Sequence, residues 1–203
     1  SSTWMVKNLL FKQKKAAALL FNLSAWCGQF SISFMTQLRL YRTRHMTFSL
    51  LARCAETGMF GMAISSSSPA VAARCAYARS GVGAVASQNI TDPTLGPKTL
   101  DKMAAGLSAS SAVRDVISET EHKDYRQLLA IDATGQTAIH SGGNVLGKWG
   151  EAQGRDVAAG GNLLKTAQVP AAIVAGFEDA TGHLGDRLLA AMHAGLKAGG
   201  EEG

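Results

Sequence analysis

The stretch MTFSLLARCAETGMFGMAISSSSP, Met46–Pro69, holds two short apolar runs of like length, Phe48 to Ala52 and Phe60 to Ile64, around a turn at Glu56-Thr57-Gly58. Runs of this length bounded by turn residues predict a β-hairpin. Ser65 to Ser68 and Pro69 end it. Downstream the pattern continues in short pieces. Ala70 to Arg79 reads as a small-residue helix or turn, and Gly81 to Ser87 as a buried strand. A loop marked by Asp92-Pro93 and Gly96-Pro97 leads into a helix near Thr99 to Ala105, and Ser108 reads as the N-cap of a second helix, Ala109 to Ser118. Tyr125 to Asp132 and Thr137 to His140 flank a turn and predict a second hairpin, a loop runs from Gly142 to about Gly154, and Asp156 to Leu164 reads as a strand. Two helices close the chain, Val169 to Asp179 and Leu184 to Ala198, the latter with Leu184, Leu188, Leu189, Met192 and Leu196 on one face. Strands interspersed with paired helices point to a layered α+β domain.

Upstream of Met46 the character changes. The chain has 203 residues and a formal net charge of +5, from 20 Lys and Arg against 15 Asp and Glu. Seven of the basic residues, Lys7 to Lys15 and Arg39 to Arg44, precede residue 46, where no acidic residue occurs. The remainder holds 13 basic and 15 acidic residues, net −2. Seven of 13 aromatics precede residue 46, and 21 of 22 glycines follow it. Residues 1–45 therefore read as an extension outside the domain, and 46–203 as the domain. A domain that is slightly acidic gives no electrostatic footprint for nucleic acid. The apolar part of the extension, Ala16 to Met35, carries Asn22, Ser24, Gln29, Ser31 and Ser33, too many polar residues for a good membrane span. A surface-lying amphipathic helix is the membrane reading left to it.

Several residues carry chemistry in principle. Ser66 and Ser67, in the Ser-rich end of the first hairpin, offer hydroxyls to a substrate or an oxyanion, or simply make a turn before Pro69. Ser87, Gln88 and Asn89 end an apolar strand in a polar cluster, as a pocket rim or a turn would. Asn162 after Gly160-Gly161 offers an amide to an oxyanion or makes a Gly-Asn turn. His140 and Ser141 are adjacent, with no Asp placed by sequence to orient the imidazole. Arg74 and Arg79 are carboxylate-binding candidates against a reading as solvated helix residues. The histidines show no metal-ligand spacing and there is no CxxC, so neither a metal nor a cofactor is expected. Cys27, Cys54 and Cys75 form no disulfide framework, which fits a reducing cytoplasm. Gly81 to Ala86 satisfies G-x-G-x-x-A in form but not at a strand-to-helix turn, where a dinucleotide site needs it.

The succession MTFSLLARCAETG, AISSSSPAVAARCAYARSGVGAVASQN, DYRQLLAIDATGQTAIHSG, GRDVAAGGNLL and HLGDRLLAAMHAGLKAGGEEG closely resembles the bacterial DUF1028 proteins, a family of uncharacterised function placed among the N-terminal nucleophile (Ntn) hydrolase-like folds. The likeness runs from Met46 to the last residue, and residues 1–45 have no counterpart in it. It implies a four-layer αββα sandwich. Further β-structure usual in the family after the Gly-Gly-Glu-rich stretch has no counterpart before Gly203. A strand missing from the sandwich would leave a sheet edge unpaired.

In Ntn hydrolases the first residue of the mature chain attacks an amide carbonyl and its own α-amine is the base. Such an amine has an ordinary pKa of about 7.7–8.0, near enough to neutrality to take a hydroxyl proton. Thr47 matches that position, on condition that it is exposed, by initiation at Met46 followed by its removal or, with initiation further upstream, by cleavage between Met46 and Thr47. The expected function is hydrolysis of a small amide or related C–N bond; the alternative is a non-catalytic binding or structural protein on the same fold. A small-molecule substrate is the expected partner, with homo-oligomerisation left open.

Overall fold

The computed structural model describes residues 47–200. The extension 1–45, with Cys27, and residues Met46 and 201–203 lie outside the described residues. The elements are β1 (Thr47–Arg53), β2 (Phe60–Ser66), α1 (Val71–Cys75), β3 (Ala76–Arg79), β4 (Gly83–Asn89), α2 (Leu95–Ala104), α3 (Ala109–Ser118), a 3₁₀ turn (Lys123–Tyr125), β5 (Arg126–Asp132), β6 (Thr137–Ser141), β7 (Gly150–Gly154), β8 (Val157–Asn162), α4 (Val169–Asp179) and α5 (Leu184–Lys197).

The strands form two antiparallel sheets, β2-β1-β8-β7 and β3-β4-β5-β6. Both expected hairpins are present, pairing Thr47 with Ser66 through Arg53 with Phe60, and Gln127 with Ser141 through Ile131 with Thr137. β1 also pairs with β8, Thr47 opposite Asn162 and Ala52 opposite Val157. It is thus an interior strand, which explains why Leu50 and Leu51 are adjacent and both fully buried.

Strand alternation then sorts the side chains. Phe48, Leu50 and Ala52 of β1 and Val157 and Ala159 of β8 pack against Val169, Ile173 and Phe177 of α4 and Leu184, Leu188 and Ala191 of α5. Val85, Leu128, Ala130 and Ala138 of the second sheet pack against Leu95, Leu100 and Met103 of α2 and Ala112, Val113, Val116 and Ile117 of α3. The other faces meet each other: Leu51 and Ala158 of the first sheet contact Ala84, Ala86, Leu129 and Ile131 of the second, with Phe60, Met62 and Ile139 around them. Gly160 permits close approach here, because a Cβ on it would lie 3.2 Å from Leu129 Cδ1 and 3.5 Å from Gln127 Cδ. Among the described residues no helix is long and apolar enough to cross a membrane.

Three local expectations are corrected. The loop placed at 142–154 contains β7, whose sequence GEAQG has too little apolar character to show as a strand; Gly150 is tightly placed, a Cβ there meeting Ala167 O at 2.5 Å. Residues 70–79 divide into a helical turn and a strand, because Tyr77 and Ala78 find partners in Val85 and Ala84. The helix expected from Thr99 begins at Leu95; Pro97 fits within its first turn, where no N–H partner is required. The Ser108 cap is as expected, its Oγ accepting from Ser111 N at 3.3 Å.

Candidate functional site

The inter-sheet layer changes from apolar to polar at one end. On β1 the inward positions run Leu51, Ser49, Thr47; on β8 they run Ala158, Gly160, Asn162; on β2, Met62, Ile64, Ser66. Opposite them the second sheet turns inward Gln88 of β4, Gln127 of β5 and Ser141 of β6. Thr47, Ser49, Gln88, Gln127 and Asn162 are all buried.

Most of this polarity is satisfied by a chain of hydrogen bonds. Ser49 Oγ donates to Gln88 Oε1 across the sheets at 2.7 Å, and Gln88 Nε2 donates to Gln127 Oε1 at 2.7 Å. Gln127 Nε2 donates to Ser141 Oγ at 3.0 Å and to the carbonyls of Gly150 and Gly161 at 3.3 and 3.4 Å. A fully connected polar chain in a low-dielectric layer fixes the relative position of the two sheets.

Beside this chain lie three of the expected site residues on adjacent strands. Thr47 Oγ1 is 2.9 Å from Ser66 Oγ, which also accepts from Ser68 N at 3.1 Å. Thr47 stands opposite Asn162 in the β1–β8 register. Asn162 is 2% exposed, and its Nδ2 is buried without a hydrogen-bond partner. A buried amide donor left unmatched costs about 1–3 kcal/mol. Such a donor suits an acceptor that arrives with a ligand.

The other expected residues separate from this group for a reason of period. Ser87 and Asn89 alternate with Gln88 and leave the inter-sheet face. Ser87 Oγ donates to the Asp92 carbonyl at 3.0 Å, closing the turn after β4. Asn89, at φ 74°, donates to the Tyr125 carbonyl at 2.6 Å and accepts from Leu146 N at 3.2 Å, so it braces two loops. Ser67 lies one residue beyond β2, in the bend that leads to Pro69. His140 and Ser141 point to opposite faces of β6; His140 Nε2 lies 3.1 Å from the Lys123 carbonyl, and Ser141 belongs to the glutamine chain. Arg74 donates to Ser68 Oγ and the Pro69 carbonyl, and Arg79 pairs with Asp101 at 2.8 Å. Ser49 and Gln127 were not singled out from sequence. Their signal was a polar residue at the end of an inward-facing period-two apolar row, as in Gln127, Leu129, Ile131.

Two cysteines show opposite shifts. A hydrogen bond with Thr57 holds the Cys54 thiol below its ordinary pKa, while burial pushes Cys75 up. The Asp132 carboxyl is pushed up by burial, but hydrogen bonds from Ala109 N, Thr134 and Gln136 N outweigh this and hold it below the ordinary carboxylate value. Among the described residues no three His, Cys, Asp or Glu side chains are grouped so as to hold a metal ion.

The fold and site define a mixed α+β protein with two antiparallel sheets and a polar end to the layer between them. Residues 47–203 match the model of DUF1028, a family of unknown function, and the chain belongs to that family. The crystal structure of protein SPO2555 from Silicibacter pomeroyi, of the same family, is similar, with 31% identity over 76% of this chain and 69% of that one and a TM-score of 0.73. Comparison with curated proteins finds no match.

Proposed function

We propose that this protein is an Ntn-type hydrolase on an αββα sandwich, cleaving a small amide or related C–N bond with Thr47 as nucleophile. One observation carries the reading: Thr47 Oγ1, hydrogen-bonded to Ser66, shares the polar end of the inter-sheet layer with an unpartnered buried amide, Asn162 Nδ2. The order of packing, helices on the outer face of each sheet and apolar contact between the sheets, supports the sandwich.

The chemistry follows from these atoms. With its α-amine free, Thr47 passes its hydroxyl proton to that amine as Oγ1 adds to the substrate carbonyl carbon. The carbonyl oxygen becomes an oxyanion and accepts from Asn162 Nδ2; one such donor is worth about 3–4 kcal/mol in a preorganised site. Collapse of the adduct breaks the C–N bond, the leaving nitrogen taking the proton from the ammonium. Water then cleaves the Thr47 ester, returning the hydroxyl and releasing the acid. Ser66 orients Oγ1, and the Ser49–Gln88–Gln127 chain holds the floor beneath it. The step needs no cofactor, and the domain's net −2 charge supports a small molecule rather than nucleic acid as partner. A cytoplasmic setting goes with this reading.

A second reading is a non-catalytic binding protein on the same fold, which the unpartnered buried Asn162 Nδ2 also suits. An electrophilic amide-mimicking probe separates them. On a form beginning at Thr47, the probe is expected to label Thr47 and to lose at least about a hundredfold in rate in Thr47→Ala. Equal labelling of Thr47→Ala, or equal labelling with Met46 attached, rejects the hydrolase reading.

A further inference from the structure

At the far end of β1 from Thr47, six residues or about 20 Å along the strand, lies a cleft of about 370 Å³ lined by Arg53, Ala55, Arg155, Asp156, Glu178 and Arg187. It lies within the size range of small-ligand pockets. Three arginines and two acidic residues line it, and two carboxylates do not neutralise three guanidinium groups. Asp156 is committed to Arg53, with Nη1 to Oδ1 at 3.1 Å. Glu178 Oε1 accepts the Arg155 backbone N–H at 2.9 Å. Among the described residues, neither Arg155 nor Arg187 has a carboxylate within ion-pairing distance.

Arg187 is held in place before any ligand arrives. Its guanidinium carbon lies 4.0 Å over the Phe177 ring, and Nη2 donates to the Phe177 carbonyl at 3.2 Å. Its Nε and that of Arg53 are buried without acceptors, so the donors of this cluster outnumber what the protein supplies to them. Asp156 sits in a left-handed turn at φ 57°, its Oδ1 placed where a Cβ on Gly135, in the turn between β5 and β6, would collide with it. The acidic side of the cleft is thus locked into the fold, and excess positive charge remains on the Arg155 and Arg187 side.

A planar guanidinium with unmatched N–H groups recognises the paired oxygens of a carboxylate or phosphate. We propose that this cleft binds a small oxyanion, a carboxylate or phosphate group, between the guanidinium groups of Arg155 and Arg187. The assignment is independent of the reading of Thr47.

The test is thermal unfolding of the full chain at constant ionic strength, titrated with inorganic phosphate, with succinate, or with chloride as reference. A saturable rise in Tm with phosphate or succinate, absent with chloride, is expected from ligand linkage. Phosphate alone acting identifies a phosphoryl ligand, and succinate alone a carboxylate. Arg155 is exposed, so Arg155→Ala is expected to keep the native Tm in chloride and to need about tenfold more anion for half-saturation, the loss of a charge-assisted hydrogen bond. Arg187→Gln is expected to abolish the rise. No saturable rise in the wild type, or an unchanged half-saturation in both variants, overturns the proposal.

Discussion

The two ends of the inter-sheet layer solve the same problem with different chemistry. At the Thr47 end, neutral side chains close the layer through Ser49, Gln88, Gln127 and Ser141. At the Arg53 end charges hold the strand ends instead: Arg53 pairs with Asp156, while Asp132, on the helix-facing side of β5, caps α3 through Ala109 N and its own turn through Thr134 and Gln136. The neutral end holds its dipoles in fixed positions without titrating, which fits the proposed role of Thr47 and Asn162. The charged end fixes the strand ends and turns, and Arg155 and Arg187 there have no carboxylate partner among the described residues.

The largest effect on stability is expected from breaking the neutral chain in its middle. Gln127→Leu leaves the buried Gln88 Nε2 without its acceptor and removes the donor to the buried carbonyls of Gly150 and Gly161 and to the half-buried Ser141. The expected cost is about 3 kcal/mol in urea unfolding, from two or more buried groups left unmatched. A loss under about 1 kcal/mol would mean that water replaces the chain and that this end is not dry.

Asp132→Asn probes the other end. Its carboxylate accepts four hydrogen bonds, and losing the charge is expected to cost about 2 kcal/mol at pH 7. The sign of the pH dependence follows from the depressed folded-state pKa. The contribution is complete above the unfolded-state value of about 3.9 and is lost as pH falls through the lower folded value. Thermal scans from pH 6 to pH 2 should therefore show an acid limb that is shallower in Asp132→Asn; identical limbs would remove Asp132 as a determinant.

Arg79→Ala sets the scale for charge outside both ends. Its pair with Asp101 is exposed, 43% and 68% by side chain, and the expected change is below about 0.5 kcal/mol. A larger loss in the same unfolding measurement would show that ion pairs count in this fold wherever they sit, and the contrast between the ends would lose its meaning.

How much of this was legible depended on range. Phe48 to Ile64 and Tyr125 to His140 declared themselves as hairpins, because apolar runs and turn residues are local signals. Ser108 declared a helix start through its cap. β7 did not, since Gly150 to Gly154 is a strand only because β8 offers it a partner. For the polar cluster Ser87-Gln88-Asn89 the sequence left a rim or a turn open; alternation turned only Gln88 inward and put the other two into turns. Gln127 and Arg187 carried no motif and gained their roles from residues far along the chain.

By itself the sequence carried a change of composition near Met46, the strand and helix periods, the Gly160-Gly161-Asn162 pattern, and a family likeness that put Thr47 among the candidates. Those properties live in neighbours a few residues apart, where backbone geometry and side-chain period act directly. Only the tertiary structure decided that β1 lies between β2 and β8, so that Ser66 and Asn162 flank Thr47, and that Arg53, Arg155 and Arg187 share one cleft. Strand order and the facing of two sheets are fixed by burial summed over the whole domain, and no local stretch of sequence contains that sum.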